Sequence, residues 1–263
     1  MDISLKNKKA FVCGSTQGIG RAAAVELANL GASIVLLARN EESLKRVKDE
    51  LNQTQNQRHD YLVADFSEFE ELKNKVAEYL KNNSSPVHIL VNNTGGPAAG
   101  KAIDADIQEF INAFQSHLLC SQILTQALVE RMKTAQYGRI INVISTSVKQ
   151  PIPNLGVSNT IRGAVASWAK TLAGELGEFG ITVNNVLPGF TKTARLQSII
   201  ENKADKTGDS IEKIEAEMQH ETPAKRFAQA SEVANAIAFL ASPAASYING
   251  VNLPVDGGRT SCL

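Results

Sequence analysis

Three glycines lie in a short segment between the first apolar stretch of the chain and its first amphipathic stretch. Residues 10–13 are apolar and predict a strand, and residues 19–30 carry apolar side chains at helical spacing until Gly31. Between them the sequence reads Gly14-Ser15-Thr16-Gln17-Gly18-Ile19-Gly20. Glycine permits a sharp turn and a close approach of the backbone to a ligand, and a helix N-terminus offers unpaired N–H groups to an anion. The segment therefore predicts a diphosphate-binding loop, with a plain strand-to-helix turn as the alternative. The candidate contacts are Gly14, Thr16, Gln17, Gly18, Ile19 and Gly20.

Short apolar segments alternate with helical patterns along the rest of the chain. Further strands are predicted at residues 33–38, 61–63, 87–91, 139–143, 182–187 and 251–255, with helices between them. Such alternation is typical of a parallel sheet covered by helices on both faces. The sequence predicts an α/β Rossmann fold, a single domain over residues 1–263 with a doubly wound parallel sheet of about seven strands. A polar stretch at about residues 191–222 lacks strand signals and is expected to form a mobile helical lid over the site.

The amino-acid composition limits the classes of binding partner that we expect. Lys plus Arg and Asp plus Glu each total 27 of the 263 residues, so the formal net charge is zero. A neutral chain offers no basic field to nucleic acid or to an anionic membrane, and no apolar run approaches the roughly 18 residues of a membrane span. The N-terminus lacks the apolar core of a signal peptide, and the three cysteines have neither disulfide nor metal-binding spacing. We expect a cytoplasmic protein that acts on a small molecule, without nucleic acid, membrane or metal.

The residue after the second predicted strand bears on the choice of dinucleotide. An acidic residue there binds the ribose 2′-hydroxyl of NAD(H) and repels the 2′-phosphate of NADP(H). This chain has Ala38-Arg39-Asn40 instead, and Arg39 can pair with a 2′-phosphate as a charged fork. The sequence therefore favours NADP(H), with NAD(H) still possible. The alternative for Arg39 is a solvated surface arginine.

Short motifs follow the ends of the later predicted strands, and their order is more specific than any one of them. They are Asp65 with Phe66, Asn92-Asn93-Thr94-Gly95, residues 138–142 leading to Ser145, Pro188-Gly189 with Thr193, and Val255-Asp256-Gly257-Gly258. With the glycine loop, they make nearly the whole chain resemble the short-chain dehydrogenase/reductase family. The resemblance implies a dinucleotide-dependent oxidoreductase in which Asp65 contacts adenine, Thr193 contacts the nicotinamide amide or the phosphates, and Ser145 is catalytic. It also places Phe66, Asn92, Gly95, Pro188 and Gly189 in the cofactor site.

Three of the four catalytic positions implied by this resemblance carry other residues. The family has a tyrosine thirteen residues beyond the serine and a lysine four residues further, where this chain has Ser158 and Arg162. The family's assisting asparagine aligns with His117. A serine hydroxyl is a far poorer acid than a phenol, and arginine does not readily release a proton. We expect Arg162 to hold ribose hydroxyls and Ser158 to pair with Ser145 by a hydrogen bond that orients a carbonyl.

The proton donor is left open by these replacements. Lys149 borders the predicted site and is a substitute acid or a substrate anchor, or else a solvated loop lysine. His117 titrates in a useful range, but a histidine satisfied in helix packing or in a subunit contact is the favoured interpretation. The loop at residues 95–100, Gly-Gly-Pro-Ala-Ala-Gly, is predicted to fix a rigid turn whose N–H groups polarise a substrate oxygen.

Two functions of different classes remain, with a third behind them. The first is an NADP(H)-dependent oxidoreductase acting on a carbonyl or alcohol, similar to 3-oxoacyl reductases, whose proton is handled by water, Ser158 or Lys149. The second is a catalytically silent dinucleotide-binding sensor or oligomer partner, and the third keeps the fold with a changed reaction. The resemblance implies a homotetramer or dimer. The mixed charge of the lid predicts no preference for acidic substrates.

Overall fold

The strands of this chain form one parallel sheet in the computed structural model, which describes residues 1–262. They are β1 (Lys9–Cys13), β2 (Ser33–Ala38), β3 (Asp60–Val63), β4 (Ile89–Asn92), β5 (Gly138–Val143), β6 (Ile181–Pro188) and β7 (Asn252–Val255). Their spatial order is β3-β2-β1-β4-β5-β6-β7, and every neighbouring pair is parallel. This order confirms the predicted doubly wound fold. The strand order reverses between β1 and β4, which opens a crevice at the carboxyl ends of the strands.

Helices cover both faces of the sheet. Over the described residues they are α1 (Gly18–Asn29), α2 (Glu41–Glu50), α3 (Phe69–Asn82), α4 (Ile107–Phe114), α5 (Cys120–Thr134), α6 (Gly156–Leu176), α7 (Ala194–Thr207), α8 (Ile211–His220) and α9 (Ala230–Ala241). Alternate residues of a strand point to opposite faces, so each strand contributes to two cores. Ala10 and Val12 of β1 pack with α1, α2 and α9, whereas Phe11 and Cys13 pack with α3, α5 and α6.

Local signals explain most element boundaries. The Asn40 side chain accepts a hydrogen bond of 2.8 Å from the backbone N–H of Ser43 and so caps the N-terminus of α2. Strand β4 begins at Ile89, two residues later than predicted. The helix after β4 starts after its N-cap Asp106, and a π-helical turn at Gln115–Leu119 lies between α4 and α5. Such turns are frequent at functional sites, and this one contains His117.

The segment predicted to form a lid is helical. It contains α7 and α8, which share a small core separate from the two cores of the sheet. Leu196 and Ile200 of α7 pack there with Ile214 and Met218 of α8 and with Phe227. The hydroxyl of Thr193 caps α7 by accepting a hydrogen bond of 3.3 Å from the N–H of Leu196. The cap fixes the start of α7 beside the carboxyl ends of the strands.

Candidate functional site

The glycine loop is closed on one side by Asn93. The Nδ2 group of Asn93 donates hydrogen bonds of 3.3 Å and 3.4 Å to the carbonyls of Cys13 and Gly14. A Cβ atom on Gly14 would lie 2.6 Å from the Asn93 backbone oxygen, and Gly14 has φ +58°, a conformation that other residues rarely adopt. A Cβ atom on Gly20 would likewise overlap the Gly14 carbonyl. The backbone of the loop therefore fits only glycine at these two positions.

Thr193 lies across the loop from Gly18. A Cβ atom on Gly18, which has φ +54°, would lie 3.2 Å from the methyl carbon of Thr193. Helix α1 begins at Gly18, and its N-cap Gln17 makes no side-chain capping bond, so the first N–H groups of α1 lack a side-chain partner. A further close contact lies at the end of β6, where a Cβ atom on Gly189 would be 2.6 Å from the Cα of Asp256. The motif residues Gly18, Gly189 and Thr193 thus meet at one edge of the sheet.

Arg39 and Asp65 follow β2 and β3 at the same edge. A guanidinium nitrogen of Arg39 lies 3.9 Å from Asp65 Oδ2, and the Arg39 side chain is 77% exposed. Burial alone acts to raise the pKa of Asp65, but hydrogen bonds from the N–H and hydroxyl of Ser67 and the charge of Arg39 outweigh it, so the pKa is lowered. Phe66 is partly buried against the core below. Arg39 is free to turn towards an anion, because an exposed ion pair of this length contributes little stability.

A ladder of four asparagine side chains crosses strands β4, β5, β6 and β7, starting from the carboxyl end of β4. The side chain of Asn92 on β4 donates to that of Asn142 on β5, Asn142 donates to Asn185 on β6, and Asn185 donates to Asn252 on β7, at 2.8–2.9 Å. Each pair is in register between neighbouring strands. Asn92 is buried, and its Oδ1 has no hydrogen-bond partner among the described residues. Asn92 was predicted as a cofactor contact; its amide donor is committed to the ladder.

His117 lies beside the ladder rather than away from the site. Its Nδ1 is hydrogen-bonded to the hydroxyl of Thr94, and it lines one small polar cavity together with Asn92, Asn142 and Arg162. Burial and, secondarily, the charge of Arg162 lower the pKa of His117 to about 2. The expectation of a satisfied histidine agrees with the Thr94 contact, and the structure places His117 in this cavity. The lowered pKa keeps the side chain neutral over the physiological range, which argues against a role as the acid.

Arg162 is a buried cation in the same cavity. It lies one turn after Ser158 on α6, so the two side chains share a face of the helix. Its Nη1 donates a bond of 3.1 Å to the carbonyl of Val143 at the end of β5, whereas its Nε has no partner among residues 1–262. Burial and then the neighbouring charge of Arg195 lower the pKa of Arg162 to about 10.

Ser145 and Ser158 do not form the predicted hydrogen-bonded pair. Ser145 Oγ accepts a bond of 3.1 Å from the N–H of Ser147, and no hydrogen bond joins the two hydroxyls within the described chain. Ser145 instead caps a short 3₁₀ turn at Thr146–Val148, and the capping bond holds its hydroxyl oxygen beside the N–H of Ser147. Ser158 is buried on α6. Lys149 follows the 3₁₀ turn and is partly buried, and its backbone carbonyl contacts Cys262.

The four tyrosines of the chain lie elsewhere. The hydroxyls of Tyr61, Tyr79 and Tyr137 bond to Glu41, Asp60 and the carbonyl of Ala241, respectively, and Tyr247 is fully exposed. The part of the chain that the structure describes contains no group of three or more His, Cys, Asp or Glu side chains arranged for a metal ion. Within the same residues, no helix combines the length and apolarity needed to cross a membrane.

Comparisons with known proteins agree with this arrangement. Residues 14–260 match the sequence model of a family described as enoyl-(acyl carrier protein) reductase. The 3-oxoacyl-[acyl-carrier-protein] reductase FabG of Haemophilus influenzae is 33% identical over 256 residues, covering 97% of this chain and 98% of that protein. This chain belongs to the short-chain dehydrogenase/reductase family.

Two further relatives of the family are similar over their whole length. The NADPH-dependent reductase BacG of Bacillus subtilis is 29% identical over 98% of this chain and 100% of its own. The L-sorbose reductase of Gluconobacter frateurii, solved with NADPH and L-sorbose, superposes with a TM-score of 0.92 at 29% identity, covering 100% of both chains. The family predicted from the motifs is therefore confirmed.

Sequence reasoning missed two sets of residues in this short-chain dehydrogenase/reductase. The ladder members Asn142, Asn185 and Asn252 lie in register on β5, β6 and β7, and the available signal was an asparagine in each strand, where that residue is uncommon. Arg195 was missed because only the total charge of the predicted lid segment was considered, not the position of each charged residue. In the structure its Nη2 donates a bond of 2.6 Å to the carbonyl of Pro97, across the site from α7.

Proposed function

We propose that this protein is an NADP(H)-dependent oxidoreductase that interconverts a carbonyl and an alcohol, as 3-oxoacyl reductases do, through a proton-transfer centre without a phenol. The observation that carries the proposal is the junction of two features at one edge of the sheet. One is the glycine loop, closed by Asn93 and Thr193. The other is the polar cavity lined by Arg162, His117 and Asn92. Relatives with NADPH in their names or solved complexes support the cofactor.

The residues of the loop fit a dinucleotide. Gly14 and Gly20 leave no room for side chains, so the backbone itself forms the surface, and the N-terminus of α1 attracts a diphosphate. Arg39 is exposed and can pair with a 2′-phosphate, with Asp65 and Phe66 beside the adenine. The proposed cofactor contacts are Gly14, Thr16, Gln17, Gly18, Ile19, Gly20, Arg39, Asp65, Phe66, Asn92, Gly95, Arg162, Pro188, Gly189 and Thr193. When bound, the nicotinamide supplies or accepts a hydride.

Ser145 is suited to orient a carbonyl oxygen. Its Oγ already accepts a bond from the N–H of Ser147, which leaves the hydroxyl proton free to donate to a substrate oxygen. Arg162 has five N–H donors, of which the carbonyl of Val143 takes one, so others remain for the ribose hydroxyls. His117 is excluded as the acid by its low pKa. In this mechanism the proton comes from water held by Ser145 and Ser158.

The first experiment measures cofactor affinity. Purified protein is titrated with NADPH and NADH, with Arg39→Asp as the variant and Arg46→Asp, an exposed arginine on α2, as the matched control. Losing a charged hydrogen bond to a phosphate corresponds to a roughly 10- to 100-fold weaker NADPH affinity in Arg39→Asp. Arg46→Asp is expected to match the native protein. Equal NADPH affinity in both variants would contradict the assignment of Arg39.

The second experiment measures turnover. NADPH oxidation is followed against ketones, diketones, oxo acids and 3-oxoacyl thioesters, with Ser145→Ala, Ser158→Ala and Lys149→Met as variants. Ser145→Ala is expected to lower kcat by about 100-fold, since it removes a donor to the reacting oxygen. A loss confined to Lys149→Met would assign the proton to that lysine instead of water.

A second candidate function is favoured by one specific observation. The hydroxyls of the tyrosines at positions 61, 79 and 137 bond elsewhere, and Tyr247 is fully exposed. A silent dinucleotide-binding protein fits that finding. Tight NADPH binding without turnover of any substrate class, in a protein whose Ser145→Ala variant binds NADPH equally well, would favour this candidate over the enzyme.

A further inference from the structure

Arg162 carries a charge that the described chain does not balance. No carboxylate of residues 1–262 lies within 4.0 Å of its guanidinium group, and its Nε is buried without a partner. Only 7% of the residue is exposed. Removing a cation from water without an anion is costly, so a buried arginine in this state is a strong indication of a missing anionic partner.

A second arginine faces the same space. A point 3.8 Å from Arg195 Nε and Nη2 and 3.9 Å from Arg162 Nη2 is defined by the position that a Cβ atom on Gly96 would take. Gly96 itself leaves this space empty. Two guanidinium groups so close repel each other, which is consistent with the lowered pKa of Arg162. An anion placed between them would reverse the sign of the interaction.

The lid holds Arg195 in place. Arg195 is the second residue of α7, directly after the Thr193 cap, and its bond to the carbonyl of Pro97 fixes it over the loop after β4. The N-terminus of α7, a helix of 14 residues, adds a partial positive charge on the same side. The positive potential is therefore built by α6 and by the lid together.

We infer that Arg162 and Arg195 bind a carboxylate group of the substrate, so that the enzyme acts on oxo acids or hydroxy acids in preference to neutral ketones and alcohols. The inference rests on the proposed function and names the substrate class of that site. A planar carboxylate suits the forked donors of two guanidinium groups. The mixed total charge of the lid predicted no such preference, because it averages over side chains that point away from the site.

The anion could also belong to the cofactor. Phosphate and carboxylate share the same donors, but the diphosphate is provided for by the glycine loop. Arg162 is bonded to the carbonyl of Val143, two residues before Ser145 on the same chain segment. Arg162 thus connects the space beside Gly96 with the segment that leads to Ser145, which favours the substrate.

The test compares charged and neutral forms of one substrate skeleton. Straight-chain 2-, 3- and 4-oxo acids and their methyl esters are offered with NADPH to the native protein and to Arg195→Gln. Lys206→Gln, which removes a charge from the far end of α7, is the matched control. We expect kcat/KM for the acids to exceed that for the esters by about 30-fold or more in the native protein. Arg195→Gln should remove about 20-fold of this difference by lowering kcat/KM for the acids, with the esters and the control within about 3-fold.

The remaining outcomes separate this inference from the proposed function. Equal use of acids and esters overturns the inference while leaving the oxidoreductase intact. An NADPH affinity about 10-fold weaker in Arg195→Gln, with acids and esters equally affected, assigns the anion to the cofactor and also overturns it. If no compound is turned over, 4-oxopentanoate is titrated calorimetrically into the complex with NADP⁺. Binding that is lost in Arg195→Gln supports the carboxylate site, and absence of binding overturns it.

Discussion

The two halves of the crevice differ in how their positions are filled. Around the glycine loop, backbone contacts fix each position, and Asn93 and Thr193 close the gaps. Around α6, by contrast, the buried guanidinium of Arg162 and the buried amide oxygen of Asn92 are incompletely paired. The first half is specified by backbone geometry, whereas the second half has the unpaired groups expected of a ligand site. Unpaired buried groups are costly, and sites of function are where such costs are tolerated.

The largest expected effect on NADPH affinity comes from adding a side chain to the glycine loop. Gly14→Ala places a methyl group 2.6 Å from the Asn93 oxygen at positive φ, so the loop must move. We expect NADPH affinity to fall by about 100-fold or more, because the backbone N–H groups of the loop no longer point towards the diphosphate. The Tm should also fall by several degrees. Gly100→Ala, where nothing lies within 4 Å of the new methyl group, is the control for both measurements. An unchanged NADPH affinity in Gly14→Ala would remove the distinction between the halves.

A substitution of Arg162, in the part of the crevice around α6, should raise the stability of the folded protein. Arg162→Met removes a buried cation whose pKa is lowered from 12.5 to about 10, a penalty of about 3 kcal/mol at neutral pH. Loss of the bond to the Val143 carbonyl offsets about 1 kcal/mol of this. The variant should therefore unfold at a Tm about 5 °C higher while turnover is lost. Arg162→Lys, which keeps the charge, serves as the comparison; a lower Tm in Arg162→Met would show that the native arginine is already compensated.

The smallest effect concerns pH. Because the pKa of His117 is lowered in the folded state, the unfolded chain takes up a proton there below about pH 6.5 and the folded chain does not. Stability is therefore lost as the pH falls through that value. Between pH 7.5 and 5.5 this one histidine should cost about 1.4 kcal/mol. Urea unfolding of His117→Asn at both pH values should show a loss smaller by that amount than the native protein shows, and an equal loss would mean that His117 is charged in the folded state.

The fold was predictable because its signals are local and repeated. The strand β2 was predicted with its observed bounds, and the apolar stripe predicted within residues 19–30 lies in the core, with Ala23 and Leu27 of α1 buried. The π-helical turn between α4 and α5 was not predicted, because no residue type in the sequence marks such a turn. The position of His117 in the cavity follows from that turn.

The site was predictable only where backbone geometry selects a residue type. Gly14, Gly18 and Gly20 were found because no other residue fits there. The failed pairing of Ser145 with Ser158 depended instead on the local cap that Ser145 forms with the N–H of Ser147. Contacts between distant segments, such as that of Arg195 with Pro97, have no signature in the local sequence.

The asparagine ladder gives the sheet an electrical direction. Asn92, Asn142 and Asn185 each donate away from β4 and Asn252 accepts the last bond, so the side-chain dipoles point the same way and reinforce one another. Their negative end is the unpaired oxygen of Asn92, in the cavity that contains Arg162. Reversing a single amide would set two donors or two acceptors against each other, so the orientation can change only for all four together. The edge strand β7 thereby contributes to the electrostatic potential at Asn92, which lies three strands away on β4.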